Sequence, residues 1–123
     1  IFLPQVKDEL SYSLSFLKIN EKEKEKRLSE TADLFSLSLS DTASLMSYGE
    51  RKRLQSAIYY SLDRPFYILD ELDSALTYKE SISILEKLSR NGAGILLITH
   101  DEKFASAVAD RGYRAKEGRI YEE

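Results

Sequence analysis

The apolar run Phe66-Tyr67-Ile68-Leu69 ends in two acids, Asp70 and Glu71, and a second run, "GILLI", ends in Thr99, His100 and Asp101. At the end of a buried strand, the first of two adjacent carboxylates can hold Mg²⁺ directly or through water. The second can then orient or deprotonate an attacking water. The same two acids could instead cap the turn that follows. His100 is the only histidine in 123 residues. Its place after an apolar strand puts it on the same edge as the acids, where an imidazole can hydrogen-bond a terminal phosphate or serve as a satisfied structural residue.

A third feature lies upstream, in "MSYGERKRL". Ser47 followed three residues later by Glu50 forms a capping box, in which side chains satisfy the free N–H groups of a helix start. A helix N-terminus opened by a serine and a glycine also suits a phosphate, because its N–H groups and dipole point at the anion.

These residues need elements to position them. Val6, Leu10, Leu14 and Leu17 recur at helical spacing and predict a helix over about 6–18. Asn20, with Glu23 at the third position, can cap a second helix whose buried stripe is Leu28, Ala32 and Phe35. The alternating charges of "EKEKEKR" form its solvated face. "LSLSDTAS" reads as a polar connection, and a third helix from Gly49 turns Leu54, Ala57, Ile58 and Leu62 inward until Asp63 and Pro65 stop it. The period then changes. Short apolar runs separated by a helix over 78–90, with Ile82, Leu85 and Leu88 inward, predict parallel strands buried on both faces. A helix near 102–109 and a hairpin turning at Glu117-Gly118 complete the pattern. Sites in such sheets form beyond the carboxyl ends of the strands, the edge that Asp70, Glu71, Thr99, His100 and Asp101 share.

Composition narrows the classes. Lys plus Arg number 18 and Asp plus Glu 21, a net charge of −3, so no general electrostatic footprint for nucleic acid or anionic lipid is present, and nucleic acid is not an expected partner. The absence of cysteine excludes a disulfide framework, a thiol nucleophile and a Cys-based zinc site. The longest apolar runs are far too short to cross a bilayer. The chain opens on Ile1 in the apolar, strand-like "IFLP", and reads as one that has lost something upstream.

Taken together, "MSYGERKRLQSAIYYSLDRPFYILDELDSAL", "LLITHD" and "ADRGYRAKEGRI" resemble the ATPase domain of the ABC superfamily over nearly the whole chain. "SYGE" is similar to the signature motif, "FYILDE" to the Walker B strand with its catalytic glutamate, "DSAL" to the D-loop and His100 to the H-loop histidine. Gln5 falls where the Q-loop glutamine would. The resemblance implies a partial P-loop NTPase fold of the α/β class: parallel strands with flanking helices, an N-terminal helical subdomain and a C-terminal hairpin. Residues 1–62 would hold the Q-loop, helical subdomain and signature helix, and 63–123 the Walker B, D-loop and H-loop part of the core. Glu71 and His100 would be catalytic, with Glu71 polarising water and His100 binding the γ-phosphate. Gln5, Ser47, Gly49, Glu50 and Ser74 would meet nucleotide, Ser47 and Gly49 from across a two-domain sandwich. Asp70 would support Mg²⁺, which Gln5 would sense. ATP and Mg²⁺ are then the expected ligands, a second ATPase domain and a membrane permease the expected partners, and the cytoplasmic face of the membrane the expected location.

Departures qualify the resemblance. No glycine is followed by lysine, so the phosphate-cradling Gly-x-x-x-x-Gly-Lys-Ser/Thr loop is absent from these residues, and the chain is expected to be inactive alone as the later part of such a domain. Tyr48 stands where the signature has its first glycine, Leu72 and Asp73 replace the Pro-Thr common in transporters, and Thr77 replaces the D-loop aspartate. "DELDSAL" also resembles ABC ATPases that act on DNA. The short segment between Gln5 and Ser47 favours a transporter, since DNA-repair relatives insert a long coiled coil there. A non-enzymatic fragment is the third reading.

Overall fold

The computed structural model describes residues 5–122, and the strand-like reading of Ile1–Pro4 lies outside them. The first helix, α1 (Val6–Leu14), presents Val6, Leu10 and Leu14 to the core. It ends short of the expected residue 18. The Ser13 hydroxyl bonds back to the Glu9 carbonyl at 3.1 Å, and the Ser15 hydroxyl to that of Tyr12, local bonds that compete with continuing the helix. Leu17 still packs against the core from the turn beyond. In α2 (Glu21–Leu34) the Asn20 side chain accepts the Glu23 N–H at 2.8 Å, and Leu28 and Ala32 face inward with Phe35 just after the helix, as the spacing requires.

The connection to the third helix is less polar in its role than in its composition. Leu37 and Leu39 lie against the core, and Ala43, fully buried, opens a short 3₁₀ turn over Ala43–Leu45. An antiparallel bridge joins Thr42 to Gln5 and pins this segment beside the start of α1. The third helix, α3 (Tyr48–Leu62), buries Leu54 and Ala57 and ends at Asp63, which adopts a left-handed backbone.

Strands β1 (Phe66–Asp70) and β2 (Gly94–Ile98) pair in parallel, with Phe66 opposite Gly94 and Asp70 opposite Ile98. Between them α4 (Tyr78–Ser89) is capped by Thr77, whose hydroxyl accepts the Glu80 N–H at 3.1 Å. Its buried face runs through Ser81, Ile84 and Leu88, with Leu85 partly buried. The expected stripe through Ile82 is therefore displaced. Ser81 takes the inward place because its hydroxyl bonds the Thr77 carbonyl at 3.0 Å and so enters the core already satisfied.

The sheet corrects a second expectation. Tyr67 and Leu69 face the core, but on the other side Phe66, Ile68, Leu96 and Ile98 are between 46% and 60% exposed. The strands are buried on one face, because α3 and α4 share a single core with that face only. Helix α5 (Glu102–Val108) follows β2, and β3 (Tyr113–Lys116) and β4 (Arg119–Glu122) form an antiparallel hairpin. Its turn residues Glu117 and Gly118 both have positive φ, the backbone a tight two-residue hairpin demands.

Candidate active site

Parallel pairing brings the carboxyl ends of β1 and β2 to one edge. The Glu71 N–H donates to the Ile98 carbonyl at 2.8 Å and extends the ladder one residue past Asp70. Glu71 then takes a left-handed backbone, φ 53° and ψ 44°, a conformation that costs a non-glycine residue about 1 kcal/mol and is concentrated at functional sites. The chain leaves the strand in a 3₁₀ turn over Leu72–Ala75, anchored by the buried Leu72 and by the Ser74 hydroxyl donating to the Glu71 carbonyl at 2.9 Å.

The Glu71 carboxylate meets His100 with Oε1 3.1 Å from Nε2. The imidazole side chain is 92% exposed. A carboxylate can only accept, so a hydrogen bond across this contact would need the proton on Nε2. Glu71, Asp73, Ser74, His100 and Asp101 line an open cleft of about 310 Å³. Three carboxylates and one imidazole make its field negative. Such a cleft repels a bare polyphosphate and suits one that arrives with a divalent cation, which Mg²⁺ does while needing only one or two protein carboxylates. Asp70 is at the strand end and exposed, so its carboxylate fits that role. Lys52, from α3, donates its Nζ to the Asp70 carbonyl at 3.1 Å while lying over the Tyr48 ring at 5.4 Å.

The start of α3 is a complete capping box. Ser47 Oγ accepts the Glu50 N–H and Glu50 Oε1 accepts the Ser47 N–H, each at 3.2 Å. A hydrogen bond from the Ser47 hydroxyl, then the one from the Ser47 N–H, and then the nearby Arg53 charge hold the Glu50 carboxyl below its ordinary range. Its ionised cap is consequently retained on acidification until that lowered value is crossed. The cap thus engages the Ser47 hydroxyl on both sides, its oxygen accepting the Glu50 N–H and its proton turned to the Glu50 carboxylate. Gly49 has a steric reason as well: a Cβ there would lie 2.6 Å from the Ala75 carbonyl oxygen, so the helix start presses directly on the turn that follows Glu71. Gly49→Ala is expected to lower stability by about 1–3 kcal/mol, read as a shift in the urea midpoint, because backbone must move to make room. A midpoint within experimental error of the parent would refute this close approach.

The structure thus places Glu71, Ser74 and His100 on one cleft beside Asp70, and sets Ser47, Gly49 and Glu50 on the helix turn behind it. Gln5 stands apart at the start of α1, with its contacts to Thr42, Asp8 and Glu9. Two partnerships escaped the sequence. Lys52 carries no motif that points to β1, and Asp73, noted only as a departure, is joined to Thr99 across 26 residues.

Parallel strands ending in an acid pair and a histidine, with a capped helix against the intervening turn, make this an α/β arrangement with its polar edge at the carboxyl ends of the strands. No protein-family model matches the chain. A putative ABC transporter ATP-binding protein of Bacillus cereus is 33% identical over 121 residues, which cover 94% of this chain and 21% of that protein. An energy-coupling factor transporter ATP-binding protein of Thermotoga maritima is 32% identical over 105 residues, 80% of this chain and 40% of that protein. Among solved structures, an ATP-binding subunit of an ABC transporter superposes with a TM-score of 0.82 at 27% identity, covering 97% of this chain and 51% of that one. The chain belongs to the ABC ATPase superfamily, and it spans about a fifth to a half of the length of these relatives.

Proposed function

We propose that these residues form the hydrolytic edge and signature helix of an ATP-binding subunit that powers transport across a membrane. The observation that supports this best is the Glu71–His100 contact of 3.1 Å at the carboxyl edge of the parallel strands, next to Asp70. MgATP, when bound, supplies the phosphoanhydride bond and the counter-charge that this acidic edge needs. Asp70 would hold the cation. Glu71 would orient a water and take its proton, a general-base role. His100 would keep Glu71 in place, and its Nε2–H is the donor that a phosphate oxygen could also use. Ser47 and Gly49 would offer the start of α3 to the nucleotide of a second domain, with Glu50 and Ser74 at that junction, and Gln5 would sense the cation from the helical part. Residues 1–62 would accordingly supply partner contacts and 63–123 the chemistry.

A membrane permease and a second ATPase domain are the partners this reading requires, with the subunit lying peripherally on the inner face of the membrane. No helix among the described residues is long and apolar enough to cross it. The similarity of "DELDSAL" to DNA-acting ABC ATPases supports a second reading. Purification of the full-length protein from membranes separates the two: Mg²⁺-dependent ATP turnover with a co-purifying permease is expected. Turnover accompanied by nucleic acid and no membrane protein would replace transport with DNA metabolism, and no turnover in any preparation would remove the enzymatic reading.

A further inference from the structure

Asp73 lies two residues after Glu71, and Thr99 one residue before His100. The Thr99 hydroxyl is 2.9 Å from Asp73 Oδ1 and 3.0 Å from Oδ2, so its single proton is shared between both carboxylate oxygens. The same hydroxyl oxygen accepts the Asp101 N–H at 3.0 Å. Asp101 in turn caps α5 by accepting the Phe104 N–H at 3.0 Å. Both neighbours of His100 are thereby fixed, one to the turn after β1 and one to a helix. His100 itself is held by little else, for its side chain is 92% exposed and its partner Glu71 is 45% exposed. An exposed polar contact of this kind contributes little and does not by itself keep two side chains in one geometry. A half-buried, charge-assisted hydrogen bond can.

We propose that Asp73 is a positioning residue: acting through Thr99, it sets the loop after β2 at the distance where His100 meets Glu71. This rests on the roles assigned above to Glu71 and His100. Removing the clamp leaves the fold and the nucleotide contacts in place but lets the imidazole wander from the carboxylate.

The test is steady-state ATP hydrolysis by the full-length protein and its Asp73→Ala, Thr99→Val, Thr99→Ser and His100→Ala variants, together with the Asp73→Ala/His100→Ala double variant. Asp73→Ala and Thr99→Val are each expected to lower kcat on the order of tenfold, with KM for ATP little changed, and Thr99→Ser to retain the parent rate because it keeps the hydroxyl. In the His100→Ala background, Asp73→Ala should cause no further loss. An equal loss with and without His100 would overturn the proposal while leaving the function intact, as would a Thr99→Ser rate as low as that of Thr99→Val. Unchanged turnover in His100→Ala would instead overturn the role of the histidine, and this proposal with it.

Discussion

Glu71→Gln in the full-length protein is expected to lower ATP turnover by about 10²- to 10⁴-fold, the usual worth of a positioned general base. Nucleotide should remain bound, so that a closed pair of domains accumulates and elutes at twice the subunit mass in Mg-ATP. The amide matches the carboxylate in size, and its Oε1 can still accept from the Nε2 of His100, 3.1 Å from the carboxylate oxygen. The backbone bond from the Glu71 N–H to the Ile98 carbonyl does not depend on the side chain. What is lost is the capacity to take a proton from water. A variant that turns over at the parent rate would remove Glu71 from this role, whatever its effect on dimer formation.

The second large effect concerns the core. Leu54, at the middle of α3, has no exposed surface and belongs to the cluster that includes Val6, Leu10, Tyr67, Leu69, Ile84 and Leu88. Leu54→Ala should therefore cost about 2–5 kcal/mol in urea unfolding, the lost transfer energy plus the cavity left behind. Ile68→Ala on the open face of the sheet should shift the same measurement by less than about 0.5 kcal/mol in this chain, because Ile68 is 60% exposed and opens no cavity. Equal losses at the two positions would contradict the one-sided burial of β1.

Much of this was legible in the sequence where a local rule acts alone. Asn20, Ser47 and the Glu117-Gly118 turn adopt the cap and hairpin geometries that their residue types favour, since each depends on bonds within about four residues. The ABC fold was legible for another reason, the order and spacing of motifs along the whole chain. The misreadings arose where tertiary contact overrides pattern. Ser81 was passed over as polar, although a hydroxyl that bonds its own helix can be buried. Phe66, Ile68, Leu96 and Ile98 look like the inside of a two-sided sheet because apolar character records what a strand can bury, and the described residues cover only one side. In the site, Asp70, Glu71 and His100 could be placed on a common edge from strand logic. The Asp73–Thr99 bond could not be, because nothing in either residue's neighbourhood encodes a partner 26 residues away.

The two ends of β1 are each fastened to α3. At one end the Tyr67 hydroxyl accepts the Arg64 N–H at 2.9 Å and donates to the Tyr59 carbonyl at 3.1 Å; at the other, Lys52 holds the Asp70 carbonyl at 3.1 Å. Helix and strand are therefore joined at two separated points along β1, which limits how far one can slide past the other.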